Sequence, residues 1–111
     1  MALSAVQEIV SYVNRDNTSL VTFQQDGTAI DFSTATRFIL KLGTTELDTD
    51  TDPTLITTTS TIGQLQFDLG DSGVSAQEYM ASLIVYDPAH PNGQVLVCSS
   101  ENKFRVIVRD C

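Results

Sequence analysis

Gln64-Leu65-Gln66-Phe67-Asp68-Leu69 sets three apolar side chains against three polar ones in strict alternation. A period of two places Leu65, Phe67 and Leu69 on one face of a β-strand and the polar residues on the other. Gly63 opens the stretch and Gly70-Asp71-Ser72-Gly73 breaks it, as turn residues do between strands. The same pattern recurs outward along the chain. Downstream, Tyr79 to Tyr86 opposes Ala81, Leu83 and Val85 to Met80, Ile84 and Tyr86, and Phe104 to Arg109 puts Phe104, Val106 and Val108 on one face. Upstream, Arg37 to Leu42 does so with Phe38, Leu40 and Leu42, closed by Gly43.

Further strands are expected at Ser19–Gln24, in the short piece Ile30–Phe32, near Thr54–Thr58 and at Gln94–Cys98. Asp26-Gly27 is a strong hairpin signal. Asp87-Pro88-Ala89-His90-Pro91-Asn92-Gly93 has the composition of a hairpin loop. Ser75-Ala76-Gln77-Glu78 has the spacing of a capping box and predicts one helical turn. The N-terminus reads two ways. Leu3, Val6, Ile9, Val10 and Val13 recur at helical spacing, with Ser4 and Gln7 as a capping pair, whereas Ile9–Val13 also reads as a strand, the version favoured here; residues 1–8 are then an arm or a helical turn. Roughly eight short strands with turn signals every ~8–12 residues predict an all-β, two-sheet sandwich. The 111 residues fit one such domain, 1–111, large enough to bury a core without staples.

Charged residues make up 18% of the chain and the net charge is −8. That charge repels phosphate backbones and anionic lipid, so neither nucleic acid nor membrane is expected as a partner. No run approaches the ~20 apolar residues that span a bilayer, and the start of the chain lacks the basic opening of a secretion signal. Cys98, in the apolar run from Val95, reads as a small core residue, and Cys111 as an exposed chain end. Their spacing matches no zinc or redox motif, and no bond between them is expected.

Convergent reactive groups are hard to find. His90 is the only histidine; it sits between two prolines with no nucleophile-elbow sequence, so catalysis is not expected and no cofactor is implied. Asp48, Asp50 and Asp52 alternate like the start of a calcium loop, but Pro53 stands where that loop needs glycine and Thr59 where it needs glutamate. The expectation is a solvated acidic loop with at most weak calcium binding and no metal site. Tyr12, Tyr79 and Tyr86 read as rim tyrosines of a sandwich, ring inside and hydroxyl out. The candidate interaction residues are therefore Asp48, Asp50 and Asp52 in one loop, and His90 and Asn92 in the other.

Asp26-Gly27-Thr28-Ala29-Ile30-Asp31-Phe32-Ser33-Thr34-Ala35-Thr36, followed by the strand to Leu42, resembles the opening of immunoglobulin-like modules in tailed-phage virion proteins. Gly63 to Leu69, then Tyr79 and its strand to Asp87, then a hairpin and a closing strand, are similar to the second half of such modules. Ser75–Glu78 stands where those modules commonly carry proline and glycine before the tyrosine. Asp71-Ser72-Gly73 with Tyr79 downstream resembles the tyrosine corner of immunoglobulin domains, without their inter-sheet cysteine pair. The resemblance implies an immunoglobulin-like two-sheet antiparallel β-sandwich of about seven to eight strands. It further implies a non-enzymatic structural component of a phage or prophage particle, in the tail, baseplate or head–tail region. The partners would be other virion proteins or a second copy, the place the virion, and the site of assembly the bacterial cytoplasm. The alternative reading is a module that recognises a host-surface glycan or protein through loops at one end of the sandwich.

Overall fold

The computed structural model describes residues 6–111. Leu3 and Ser4, part of the helical reading of the N-terminus, lie outside them; from Gln7 that reading and the expected arm are overturned, since Gln7–Tyr12 is a strand that starts two residues before the expected Ile9. The described residues form eleven strands and one 3-10 turn, with no α-helix. The strands are β1 (Gln7–Tyr12), β2 (Ser19–Thr22), β3 (Gln24–Gln25), β4 (Thr28–Ala29), β5 (Arg37–Leu42), β6 (Thr45–Asp48), β7 (Ile56–Thr58), β8 (Gln64–Phe67), β9 (Glu78–Asp87), β10 (His90–Val97) and β11 (Phe104–Arg109).

The larger sheet runs β1-β11-β9-β5-β6, with β10 also on β9. A second, three-stranded sheet runs β2-β8-β7, and β3 and β4 form a separate two-stranded ladder. β10 and β11 lie along one edge of β9, β10 against its second half and β11 against its start. They behave as one strand interrupted by the 3-10 turn Ser99–Glu101. The ladders are antiparallel except one: β1 runs parallel to β11, Gln7 opposite Phe104 through Tyr12 opposite Arg109. The expected all-antiparallel arrangement is corrected at that edge.

Alternation does the packing. Tyr79, Ala81, Leu83 and Val85 on β9 point inward with Phe38, Leu40 and Leu42 on β5 and Phe104, Val106 and Val108 on β11, and all are buried. They meet Val21 and Phe23 from the β2 segment and Leu65 and Phe67 from β8 in one core. All five phenylalanines join a chain of edge-to-face contacts, Phe38–Phe32–Phe23, with Phe23, Phe67 and Phe104 mutually in contact. Each such pair adds about 0.5–1.5 kcal/mol beyond area burial. Phe104 belongs to the large sheet and Phe67 to the small one, so this cluster ties the two together.

Local chemistry accounts for the connections. Asp26 and Gly27 both adopt positive φ, 53° and 78°, which gives the mirror-image turn that joins β3 to β4. Ile30 and Phe32 follow as irregular chain rather than the expected strand, though Phe32 is buried. Asp48, expected in a solvated acidic loop, instead ends the edge strand β6. The strand expected over Thr54–Thr58 begins at Ile56, because Thr54 is held in a turn by Asp52.

Three further expectations are overturned. Ser75–Glu78 is not helical; it is a bend leading into β9, which starts at Glu78. The Tyr79 hydroxyl donates instead to the Ser75 carbonyl at 2.8 Å. The Asp87–Gly93 loop shrinks to a turn at Pro88-Ala89, and pairing resumes at His90 opposite Asp87. Cys98 is exposed rather than in the core. A bulge explains it: Val95 pairs Ile84 but Val97 pairs Leu83, so Leu96 is an extra residue. Leu96 and Val97 both turn inward, and the side chain after them turns out.

Candidate functional site

Two of the expected contact residues, Asp48 and Asp50, gather around an arginine that sequence reasoning passed over. Arg37 opens β5 opposite Tyr86 on β9, on the outer face of the large sheet. Its Nε donates to Asp48 Oδ1 at 3.0 Å and lies 3.3 Å from Asp50 Oδ2, and its other arm pairs with Asp48 Oδ2. The guanidinium sits over the Tyr86 ring, 4.8 Å from its centre. Each contact follows from register. β5 sets Ile39 opposite Asp48 and Arg37 opposite Tyr86, so the side chain reaches diagonally to one neighbouring strand while lying on the other.

The Asp48–Asp52 segment is a folded turn. Asp48 Oδ1 also accepts the Asp50 amide at 2.9 Å, and the Asp48 carbonyl accepts the amides of Thr51 and Asp52. The Arg37 hydrogen bond holds the Asp48 carboxyl below its ordinary range despite partial burial, and Asp48 in turn keeps Arg37 firmly protonated. Asp52 faces elsewhere. Its carboxylate caps Thr54, and it borders a hollow of about 220 Å³ with Glu46, Asp48 and Asp71. The three aspartates therefore do not converge, and their oxygens serve backbone and arginine donors. Among the described residues no group of three or more His, Cys, Asp or Glu side chains is placed to hold a metal ion.

The second expected loop adjoins the first. Thr36, Arg37, Asp50, Tyr86, Asp87, Pro88 and Pro91 line a shallow hollow of about 320 Å³. His90 is exposed, and its Nδ1 lies 2.8 Å from Asp87 Oδ1 across the turn. Asn92 is exposed in the irregular start of β10. So Asp48, Asp50 and His90 come to one end of the large sheet, with Arg37 and Tyr86 as their link. The Tyr86 ring is not free to stack on a ligand. Arg37 covers it, and Gly93 packs so closely that a Cβ there would lie 2.9 Å from the ring and 2.7 Å from Ile84.

His90 pairs with a carboxylate but with no nucleophile. The Ser11 hydroxyl, a buried polar group with no partner, is remote in sequence and faces the core from β1. Cys98 is exposed, and Ser100 beside it lowers its thiol pKa. No helix among the described residues is long and apolar enough to cross a membrane. A scan against protein-family models and a search of the curated proteins find no match to this chain.

Proposed function

We propose that the chain is a non-enzymatic, immunoglobulin-like docking module, and specifically a structural subunit of a tailed-phage particle that acts through protein–protein contacts. The immunoglobulin-like reading is supported by strand order. β1-β11-β9-β5-β6 facing β2-β8-β7 matches a variable-type sandwich with the parallel first strand on the last, and Tyr79 at the start of β9 makes the corner bond to Ser75. The paired cysteines of antibody domains are absent, since Cys98 and Cys111 are both exposed and free. Its phage assignment rests on the Asp26–Thr36 and Gly63–Asp87 patterns.

The observation that carries the non-enzymatic reading is the Arg37 bracket. The charged groups gathered at the loop end bind one another in short, strand-registered contacts, which is how side chains brace a scaffold. Purified particles from the host that carries this gene provide the test. Mass spectrometry should find the chain there in fixed proportion to other structural proteins. Its absence from particles while abundant in the soluble fraction would defeat the assignment. The hollow beside Pro88 and Pro91 favours the second reading, glycan or protein recognition at the loop end. On the structural reading a glycan array stays silent with and without calcium.

A further inference from the structure

We propose that the outer face of the large sheet is a self-docking surface whose occupant is a second copy of this chain. The register places Ile39, Ile84 and Val95 side by side across β5, β9 and β10 on that face, with Val95 open to solvent, Ile84 half-buried beside Gly93 and Ile39 buried as the floor of the row. Met80 lies two outward positions along β9, beyond Ser82 and beside Arg105, as a second exposed apolar side chain on that face. Val95, at the bulge of β10, is 48% exposed and Met80 is 40% exposed. Neither supports the core.

The surroundings of this patch decide the occupant. Lys41 pairs with Glu46, Arg105 with Glu8 and Glu78, and Arg37 with Asp48 and Asp50. Each of these three cations is therefore flanked by carboxylates. A two-fold rotation presents such a mixed border to itself with cations facing acids, as an isologous contact requires. The acidic loops do not allow this. The strands of the large sheet hold four of the six basic residues and five of the fourteen acids, leaving nine acids against two bases elsewhere. Two copies approaching through any loop surface meet like charge, within a Debye length of ~8 Å at physiological salt. A basic partner would be drawn to those acidic loops. The near-neutral, apolar-centred sheet face is the one that fits another copy.

This inference stands apart from the particle assignment, because it is tested on the purified chain alone. Sedimentation equilibrium over a concentration series should show the wild type rising from 12.1 kDa towards twice that mass, more readily as salt screens the net charge. Val95→Glu, and separately Met80→Glu, should hold the mass at the monomer value with an unchanged circular-dichroism spectrum and melting temperature. Leu20→Glu places the same charge on the opposite sheet, at a residue 57% exposed, and should leave the dimer intact. A wild type that stays monomeric up to its solubility limit would overturn the proposal. So would dissociation by Leu20→Glu with folded Val95→Glu and Met80→Glu still dimeric. Finding the chain missing from particles would remove the assembly role and leave the dimer untouched.

Discussion

The two sheets of this sandwich solve the same inner problem and present opposite outer faces. Inside, both use a period of two: Leu65 and Phe67 on β8 are as fully buried as Leu40 and Leu42 on β5. Outside, β2, β7 and β8 contain no charged residue, and their outward positions are Leu20, Thr22, Thr57, Gln64 and Gln66. Hydroxyl and amide groups keep that sheet wet without committing it to a partner. The large sheet instead carries cross-strand ion pairs around an apolar row. Sequence alternation dictates the first property and says little about the second, which arises only once register sets particular residues side by side.

The comparison is broken most severely where the sheets meet. Phe23 is fully buried and touches Phe32, Phe67 and Phe104. Phe23→Ala should cost about 3–5 kcal/mol in urea unfolding, a large share of the ~5–15 kcal/mol that holds a domain of this kind. A loss under about 1 kcal/mol, the scale of ordinary surface changes, would mean the two inner faces do not share one core. Next in size is the corner that feeds β9. Tyr79→Phe keeps the ring and loses the bond to the Ser75 carbonyl, for about 1 kcal/mol. Ser75→Ala should cost less, since the carbonyl acceptor remains.

The outer-face ion pairs can be read through pH. Asp48 is held below its ordinary range by Arg37. Its folded pKa is therefore lower than its unfolded one, near ~3.9. The stability this contributes is complete above that unfolded value and is lost as pH falls through the depressed folded value. Arg37→Met should lower the melting temperature at neutral pH, and the gap from wild type should close in acid. The smallest effect lies in the acidic loops. Asp68 is pushed up by burial and by Asp71, Asp16 and Asp52. A raised acid opposes folding once it ionises, so its penalty grows as pH rises from the ordinary carboxylate range through the raised folded value. Asp68→Asn should stabilise the protein at neutral pH by roughly a few tenths of a kcal/mol, and the gain should vanish in acid.

What could be read from the chain beforehand follows the same division. The strands over residues 37–42, 64–67, 79–86 and 104–109 were legible because a buried face imposes strict alternation. The Asp26-Gly27 turn was legible because few residue pairs tolerate two positive φ angles. β6 was hidden, since this edge strand half-buries only Leu47 and Asp48 and is otherwise composed like a loop. Cys98 was misplaced because a bulge has no composition of its own. The parallel partner of β1 was invisible, as direction leaves no local trace. Of the candidate site, the acidic turn and His90 were visible as residues. Arg37, which joins them, was not, because its role exists only through pairing with Tyr86 and Asp48.

The most direct test of unequal outer faces is methyl NMR on the purified chain across a concentration series. The account predicts that methyls of Ile84, Val95 and Met80 shift and broaden as concentration rises, while those of Leu20 and Ile62 stay fixed. Movement confined to Leu20 and Ile62, with the large-sheet methyls unchanged, would contradict it.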